Sequence, residues 1–487
     1  MANCLVMPFF GRKGLAMNTR KNTLYNVAYR VFSMLLPLVT APYLSRVVGT
    51  EGVGLYGYSW AVSYVFVLIG LLGLENYGPR EIARVRDDRD ALNRTFSAIW
   101  KMQRLVAGVT LLVWLVYVFF IAGEEKIISL NLTMMSVSCL VNLDWCLMGL
   151  DEFKPIALRN TAVKLLAAAA VFLFVRKPED LWVYAFVWSL STLLGCLSCM
   201  FSLHGKVTPV KVTWKEAVKH LAPCALLSIS VIAVSVYRQM DKVMIGALAD
   251  MAQTGLYENA EKIILCLSGF ISAIGTVMLP KVSRMTRMKQ MDAVQRHIRL
   301  SLELVMCMVC AMAFGLAVAV NFAPLFYGDD FAYSGTLMMP LAFTLLSIGF
   351  ANVIRTQWVL PQGCDTIFVH SVLTGAVINL IANFVLIPPL GAMGAAAATV
   401  LAEFSVQFVY LRKELPYAHY LKTTGVYCLF GLVMAGVVAL LGHVLPLHGW
   451  GKLAVQVIGG AAVYGALCLT YWKLAKRSDI FRLMRRK

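Results

Sequence analysis

The sequence predicts an all-α polytopic membrane protein of about fourteen transmembrane helices. Three observations carry that prediction. Hydrophobic residues make up 59% of the 487 and charged residues only 14%, against about 25% charged in a soluble domain. Apolar runs of the length needed to cross a bilayer, about 20 residues each, recur along the whole chain. The net charge of +18 comes in short bursts between those runs, a pattern of membrane topology rather than of a nucleic-acid-binding face.

Taken in order, the runs place helices at 22–47, 54–76, 100–122, 126–149, 156–175, 180–203, 220–247, 254–279, 298–321, 334–357, 366–388, 391–411, 421–446 and 451–472. With both termini cytoplasmic, the inner connections gather most of the Lys and Arg. The outer ones hold only Arg46, Lys126, Arg176, Lys177 and Lys452. This positive-inside asymmetry sets the orientation. It also checks the span count, because losing one helix would invert every later loop. No outer connection is long enough for a catalytic domain. The inner loop 77–99, rich in Arg and Asp, is expected to lie as an amphipathic linker at the headgroups. The C-x-x-C pairs Cys196/Cys199 and Cys307/Cys310 fall inside spans and read as helix packing rather than metal or redox sites. Met1–Phe10 lacks a basic segment before it, so no signal peptide is expected.

A short internal repeat subdivides the chain. Gly54-Leu55-Tyr56 recurs as Gly255-Leu256-Tyr257, and Pro79-Arg80 as Pro280-Lys281, both at an offset of 201. This equates helices 1–2 with helices 7–8, and parallel halves of this kind are a transporter plan. The expected organisation is an extension at 1–21, a six-helix lobe at 22–203 and a linker at 204–219. A second six-helix lobe at 220–415, two further helices at 416–474 and a basic cytoplasmic tail at 475–487 complete it.

Charges inside spans cost about 2.5–3.5 kcal/mol each on insertion scales and so call for a cavity or a partner. Arg30 lies on a polar stripe of helix 1 with Asn22, Asn26, Ser33, Pro37 and Thr40. It reads either as a cavity-lining cation for an anionic substrate or as a side chain snorkelling to the headgroups. Helix 7 carries Arg238, Asp241 and Lys242. Arg238 can reach Asp241 at i,i+3, which leaves one cation over. Glu258 and Lys262 make an i,i+4 pair in helix 8, beside Glu261. Asp144 near the end of helix 4 and Glu403 in the middle of helix 12 are candidate ion or proton sites. The run Gly52-Val-Gly54-Leu-Tyr-Gly57 matches G-x-G-x-x-G but follows a membrane span, without the strand that a dinucleotide site needs. Its glycines, like those in the Gly391–Ala398 run, read as turn formers and sites of close helix approach. No metal cluster, nucleophile–base set or Walker loop is present, so neither an enzyme, an ATP-driven pump nor a cofactor is expected.

The run Pro42-Tyr-Leu-Ser-Arg46-Val-Val-Gly49-Thr-Glu-Gly52-Val-Gly54-Leu-Tyr56 resembles the first hairpin of the polysaccharide repeat-unit flippases. These are the Wzx-type proteins of the multidrug/oligosaccharidyl-lipid/polysaccharide (MATE/MOP-like) exporter superfamily. Asn76–Ala83, Asp144–Phe153, Asp241–Gly246 and Asn383–Pro388 continue the likeness in order, leading into Gly391–Gly394 and Glu403, over about 18–413. Cys146-Leu147 and Arg238 depart from the family's usual residues. The resemblance implies a multi-pass protein of the bacterial plasma membrane that flips an undecaprenyl-diphosphate-linked oligosaccharide outward by alternating access, driven by H+, Na+ or the membrane potential, alongside polysaccharide polymerase machinery. Arg30, Arg238, Lys242 and Arg355 would hold the diphosphate, and Asp144, Asp241 and Glu403 would serve ion coupling or gating. A multidrug exporter of the same superfamily and a membrane polymerase of lipid-linked sugars are the rival readings. The cationic spans argue against the first, and the short outer loops against the second.

Overall fold

The computed structural model describes residues 15–474 apart from 320, 411–414, 416 and 445–447. For residues 15–31, 33–34, 229–231, 233–234, 236 and 365 it describes the backbone alone. The chain is all-helical among these residues. In order come α1 (Leu15–Leu71), α2 (Leu74–Val85), α3 (Arg89–Phe120), α4 (Lys126–Val141), α5 (Asp144–Gly149) and α6 (Phe153–Phe174). Next are α7 (Leu181–Leu203), α8 (Trp214–Val218), α9 (Leu221–Leu248), α10 (Met251–Arg287), α11 (Met291–Val318) and α12 (Phe322–Tyr327). The last five are α13 (Ala332–Ile354), α14 (Asp365–Leu390), α15 (Ala392–Val409), α16 (Tyr417–Val444) and α17 (Gly449–Leu474). Among the described residues, 11 helical stretches are long and apolar enough to cross a membrane. That number is compatible with fourteen spans. α1 runs through two of the predicted spans and is broken between them at Gly49 (φ 70°), and α4 is a shorter apolar helix of 16 residues.

The helices group into two compact units. One comprises residues up to 37, 66–174 and 182–229, the other residues 38–65, 175–181 and from 230 onward. In the first unit, α2 packs on α3 and α5, and α3 on α4 and α8. Its core is formed by Leu74, Tyr77 and Ile82 of α2, Phe96, Ile99 and Met102 of α3, and Trp145, Cys146 and Leu147 of α5. This corrects the expectation for loop 77–99. Most of it is helix, and the apolar side of α2, with Ile82 fully buried, is covered by protein rather than by headgroups. The Tyr77 hydroxyl meets His220 Nδ1 at 2.6 Å in the same core.

The short helix α8 is set by a capping box. The Thr213 hydroxyl accepts from the Glu216 N–H, and Glu216 Oε2 accepts from the Thr213 N–H at 2.7 Å. Those bonds, with Arg94 at 2.9 Å, hold the Glu216 carboxylate down at about 2 against an ordinary 4.5. A depressed carboxylate adds stability that is complete above the ordinary value and is lost as pH falls through the lowered one. Amide exchange at 213–219, divided by the intrinsic rate at each pH, should therefore stay unchanged from pH 7 to 5 and quicken only below about 4. Thr213→Ala should quicken it at every pH.

In the second unit α10 packs on α11, α13 and α15, α14 on α15, and α11 on α13 and α16. The α11 cysteines meet thiols of the last two helices, with Cys310 Sγ 3.8 Å from Cys428 Sγ and Cys307 Sγ 3.6 Å from Cys468 Sγ. The internal repeat has a direct structural meaning here. The start of the second α1 segment crosses the first turn of α10 with backbones in contact. A Cβ on Gly54 would fall 1.7 Å from the Met251 carbonyl oxygen, and one on Gly255 would fall 2.0 Å from the Thr50 carbonyl oxygen. Thr50 and Met251, like Gly54 and Gly255, are related by the offset of 201. The contact is reciprocal, as at a two-fold axis.

Candidate functional site

A cavity of about 180 Å³ lies within the second unit. α9 brings Tyr237, Arg238 and Asp241 to it, and α15 brings Glu403 and Tyr410. Arg355 reaches it from the end of α13. There the helix passes into a π-helical turn, Arg355–Val359, an extra-residue insertion of the kind that re-aims side chains at functional sites. The Arg355 guanidinium sits 5.5 Å from the centre of the Phe368 ring, and its buried Nε has no hydrogen-bond partner. Glu403 accepts from the Tyr237 hydroxyl at 3.0 Å, and its backbone carbonyl accepts from the Ser347 hydroxyl. Among the described residues neither Arg238 nor Arg355 makes an ion pair within 4.0 Å. Both guanidinium groups line the cavity outside any such pair, alongside the carboxylates of Asp241, Glu261 and Glu403, and guanidinium forks suit phosphate and carboxylate oxygens.

Asp241, at the cavity wall, is 4% exposed and is held by neutral donors. Its Oδ1 accepts from the side-chain amides of Asn379 (3.0 Å) and Asn383 (2.7 Å) of α14. Its Oδ2 accepts from the hydroxyls of Tyr257 of α10 and Thr399 of α15, both at 2.7 Å. Those four donors take the place of the i,i+3 pair with Arg238 that sequence spacing suggests, and free that arginine for the cavity. The result is a buried carboxylate ringed by two amides and two hydroxyls, a set whose oxygens suit a hard cation once the amides rotate.

Lys242 stands apart from the cavity lining. Its Nζ lies 2.9 Å from Glu258 Oε2 and 3.1 Å from Glu261 Oε2, and Lys262 Nζ lies 3.3 Å from Glu258 Oε1. The expected Glu258–Lys262 pair is thus one edge of a four-charge cluster with no net charge. The Lys242 ammonium also sits 5.7 Å from the Trp60 ring.

In the first unit Asp144 Oδ1 accepts from Arg159 Nη2 at 2.7 Å. The same guanidinium donates to Asn160 Oδ1, and its Nη1 is buried without a partner. Asp144 is thus one half of an ion pair, with a partner in the predicted 156–175 span that sequence reading did not single out. Asp144→Ala should strand a buried arginine and cost about 3–5 kcal/mol, read as lost yield and a lowered Tm. Asp144→Ala/Arg159→Met should recover most of it. Of the predicted residues, the second-unit cavity brings together Arg238, Arg355, Asp241 and Glu403. Asp144 and Lys242 lie elsewhere, and the Arg30 side chain falls outside the described residues. Tyr257, Asn379, Asn383 and Thr399 were missed. Asn383 had a sequence signal as part of the quoted Asn383–Pro388 motif, and Tyr257 as part of the Gly255–Tyr257 repeat.

Comparison with known proteins places this geometry. Over 398 residues the chain is 22% identical to the "Putative O-antigen transporter" of Escherichia coli (strain K12), covering 80% of this chain and 94% of that protein. Among solved structures it resembles the lipid II flippase MurJ in an inward closed conformation (TM-score 0.76, 16% identity, 93% of this chain and 99% of that one). It also resembles an inward-facing multidrug resistance MATE family transporter of the MOP superfamily (TM-score 0.52, 14% identity, 85% of this chain and 95% of that one). At those identities the likeness establishes the fold alone, a multi-pass helical membrane fold. Residues 19–286, more than half of the chain, match the polysaccharide biosynthesis protein family, and the chain belongs to it.

Proposed function

We propose that this protein flips an undecaprenyl-diphosphate-linked oligosaccharide repeat unit from the cytoplasmic to the outer leaflet of a bacterial plasma membrane, for surface polysaccharide synthesis. The observation that carries the reading is the pair Arg238 and Arg355, two guanidinium groups on one cavity that make no ion pair within 4.0 Å among the described residues, in a polysaccharide biosynthesis family member. A diphosphate is the anionic part of such a lipid carrier. An arginine at a low-dielectric wall attracts it more strongly than one in water. The names of the related O-antigen transporter and lipid II flippase support the same cargo class. The work is transport without bond making, so the protein is not an enzyme.

Movement against a gradient needs a driving force, H+, Na+ or the membrane potential, and Asp241 is the site proposed for a coupling ion, with Glu403 on the same cavity wall. A carboxylate held only by neutral donors can exchange its hydrogen bonds for a cation, and Asp241→Asn should uncouple transport from the ion gradient without loss of fold. The excess of Lys and Arg in alternate connections supports a cytoplasmic side for both termini. Polymerase machinery is the proposed consumer of the flipped unit.

Arg238→Ala/Arg355→Ala tests the cargo site. Each charged hydrogen bond is worth about 1.5–3 kcal/mol, about ten- to hundredfold in affinity. The double variant should reach the membrane at wild-type level, abolish surface polysaccharide and leave lipid-linked units inside the cell. Unchanged surface polysaccharide would remove these residues from the site. Accumulation of single units outside would indicate polymerisation instead. Drug resistance on overexpression, with polysaccharide untouched by deletion, would favour the multidrug exporter reading.

A further inference from the structure

The chain between α7 and α8 is strapped along one face of α3. Asn93 Oδ1 accepts from the Thr208 N–H, Ser97 Oγ accepts from the Val210 N–H, and Lys101 Nζ donates to the Val212 carbonyl, each at 2.8 Å. The spacing is a geometric match. Four residues of helix advance about 6 Å, and two residues of extended chain advance about 6.6 Å. Every second residue of the strap therefore meets every fourth residue of α3.

What this strap and α8 after it turn outward is unusual for a surface segment. Val210, Trp214 and Val218 are 41%, 55% and 48% exposed. Each is followed by an exposed lysine, Lys211, Lys215 and Lys219. The one carboxylate in the segment, Glu216, is occupied by Thr213 and Arg94, so it does not neutralise them. Lys101 holds the Trp214 ring 4.3 Å below its ammonium, at the level where α3 enters its apolar stretch. A tryptophan at that depth, apolar side chains and unpaired lysines alternating on one strip are the chemistry of an anionic bilayer surface. A protein partner has no comparable support, because the lysines would need an acidic counterpart on it.

We propose that the 210–219 strip is a docking surface for the anionic phospholipid headgroups of the leaflet it faces, with Trp214 as the wedge and the three lysines as the charge readers. The full-length protein is reconstituted in phosphatidylcholine vesicles carrying equal shares of brominated phosphatidylglycerol or brominated phosphatidylcholine. Quenching of Trp214 is read as the difference between wild type and Trp214→Leu. The expected result is at least about fivefold stronger quenching by the anionic lipid, the worth of one lysine at such a surface. The preference should vanish in Lys211→Gln/Lys215→Gln/Lys219→Gln while quenching by brominated phosphatidylcholine persists. It should also vanish for wild type at about 1 M salt, where screening acts within about 3 Å, so the test does not depend on the variant folding. Equal quenching by both lipids would overturn the proposal. So would a preference that survives the lysine substitutions or high salt. Absence of Trp214 quenching by either lipid would overturn it in favour of a covering protein.

Discussion

Gly54→Ala is expected to abolish export and to lower the Tm of the purified protein, and Gly255→Ala to do the same. In both variants the added methyl has nowhere to go. It would sit 1.7 Å from the Met251 oxygen in one case and 2.0 Å from the Thr50 oxygen in the other. Because both obstacles are backbone, a side-chain rotation cannot relieve the clash, and the two segments must move apart. Overpacking a well-filled contact costs about 1–3 kcal/mol and more where nothing yields, so about 3 kcal/mol is expected for each. The reciprocity adds a sharper expectation. Since either methyl alone opens the same crossing, Gly54→Ala/Gly255→Ala should cost much less than the sum of the singles. Gly436→Ala, with open space around its Cβ, is the control and should be neutral or slightly stabilising through helix propensity.

Lys242→Met should be the most damaging substitution among the intramembrane charges. It leaves Glu258 and Glu261 facing each other with Lys262 alone to balance them. Removing one partner of a buried ion pair costs about 3–5 kcal/mol, chiefly for the uncompensated charge left behind. The expected outcome is a severe loss of folded protein in the membrane. Lys242→Met/Glu261→Gln, which deletes one charge of each sign, should recover most of the yield. This distinguishes the cluster from a substrate site. A lysine that only held cargo would leave yield and Tm intact when replaced and would gain nothing from the second substitution.

The spans were legible because a bilayer demands long apolar runs, and because charge asymmetry ties each loop to a side. The importance of Gly54 and Gly255 was legible as a repeat, but their mutual contact was not, since an offset of 201 says that two segments are alike and not that they touch. Arg238 and Asp241 show where local rules fail. Helical spacing pairs them, yet Asp241 is already saturated by Tyr257, Asn379, Asn383 and Thr399, from helices 16 to 158 residues away. Neutral asparagines and threonines in apolar runs carry no hydropathy signal that separates a ligand from a packed side chain. Arg159 was hidden for the opposite reason. It lay near the start of the 156–175 span as one basic residue among many, and only the turn between α5 and α6 brings it to Asp144. Arg355 was legible as a charge at a helix end, but the π-helical turn that opens at it was not.

The most direct measurement is flipping itself. Proteoliposomes carrying an undecaprenyl-diphosphate-linked oligosaccharide with a labelled sugar are assayed for the label reaching the opposite leaflet under an imposed ion gradient. Wild type should flip the lipid. Arg238→Ala/Arg355→Ala should flip at least about tenfold more slowly, the loss of one charged hydrogen bond to the diphosphate, with its Tm unchanged. Flipping by the double variant at the wild-type rate would contradict the account, as would wild-type protein that leaves the lipid-linked sugar where it was loaded.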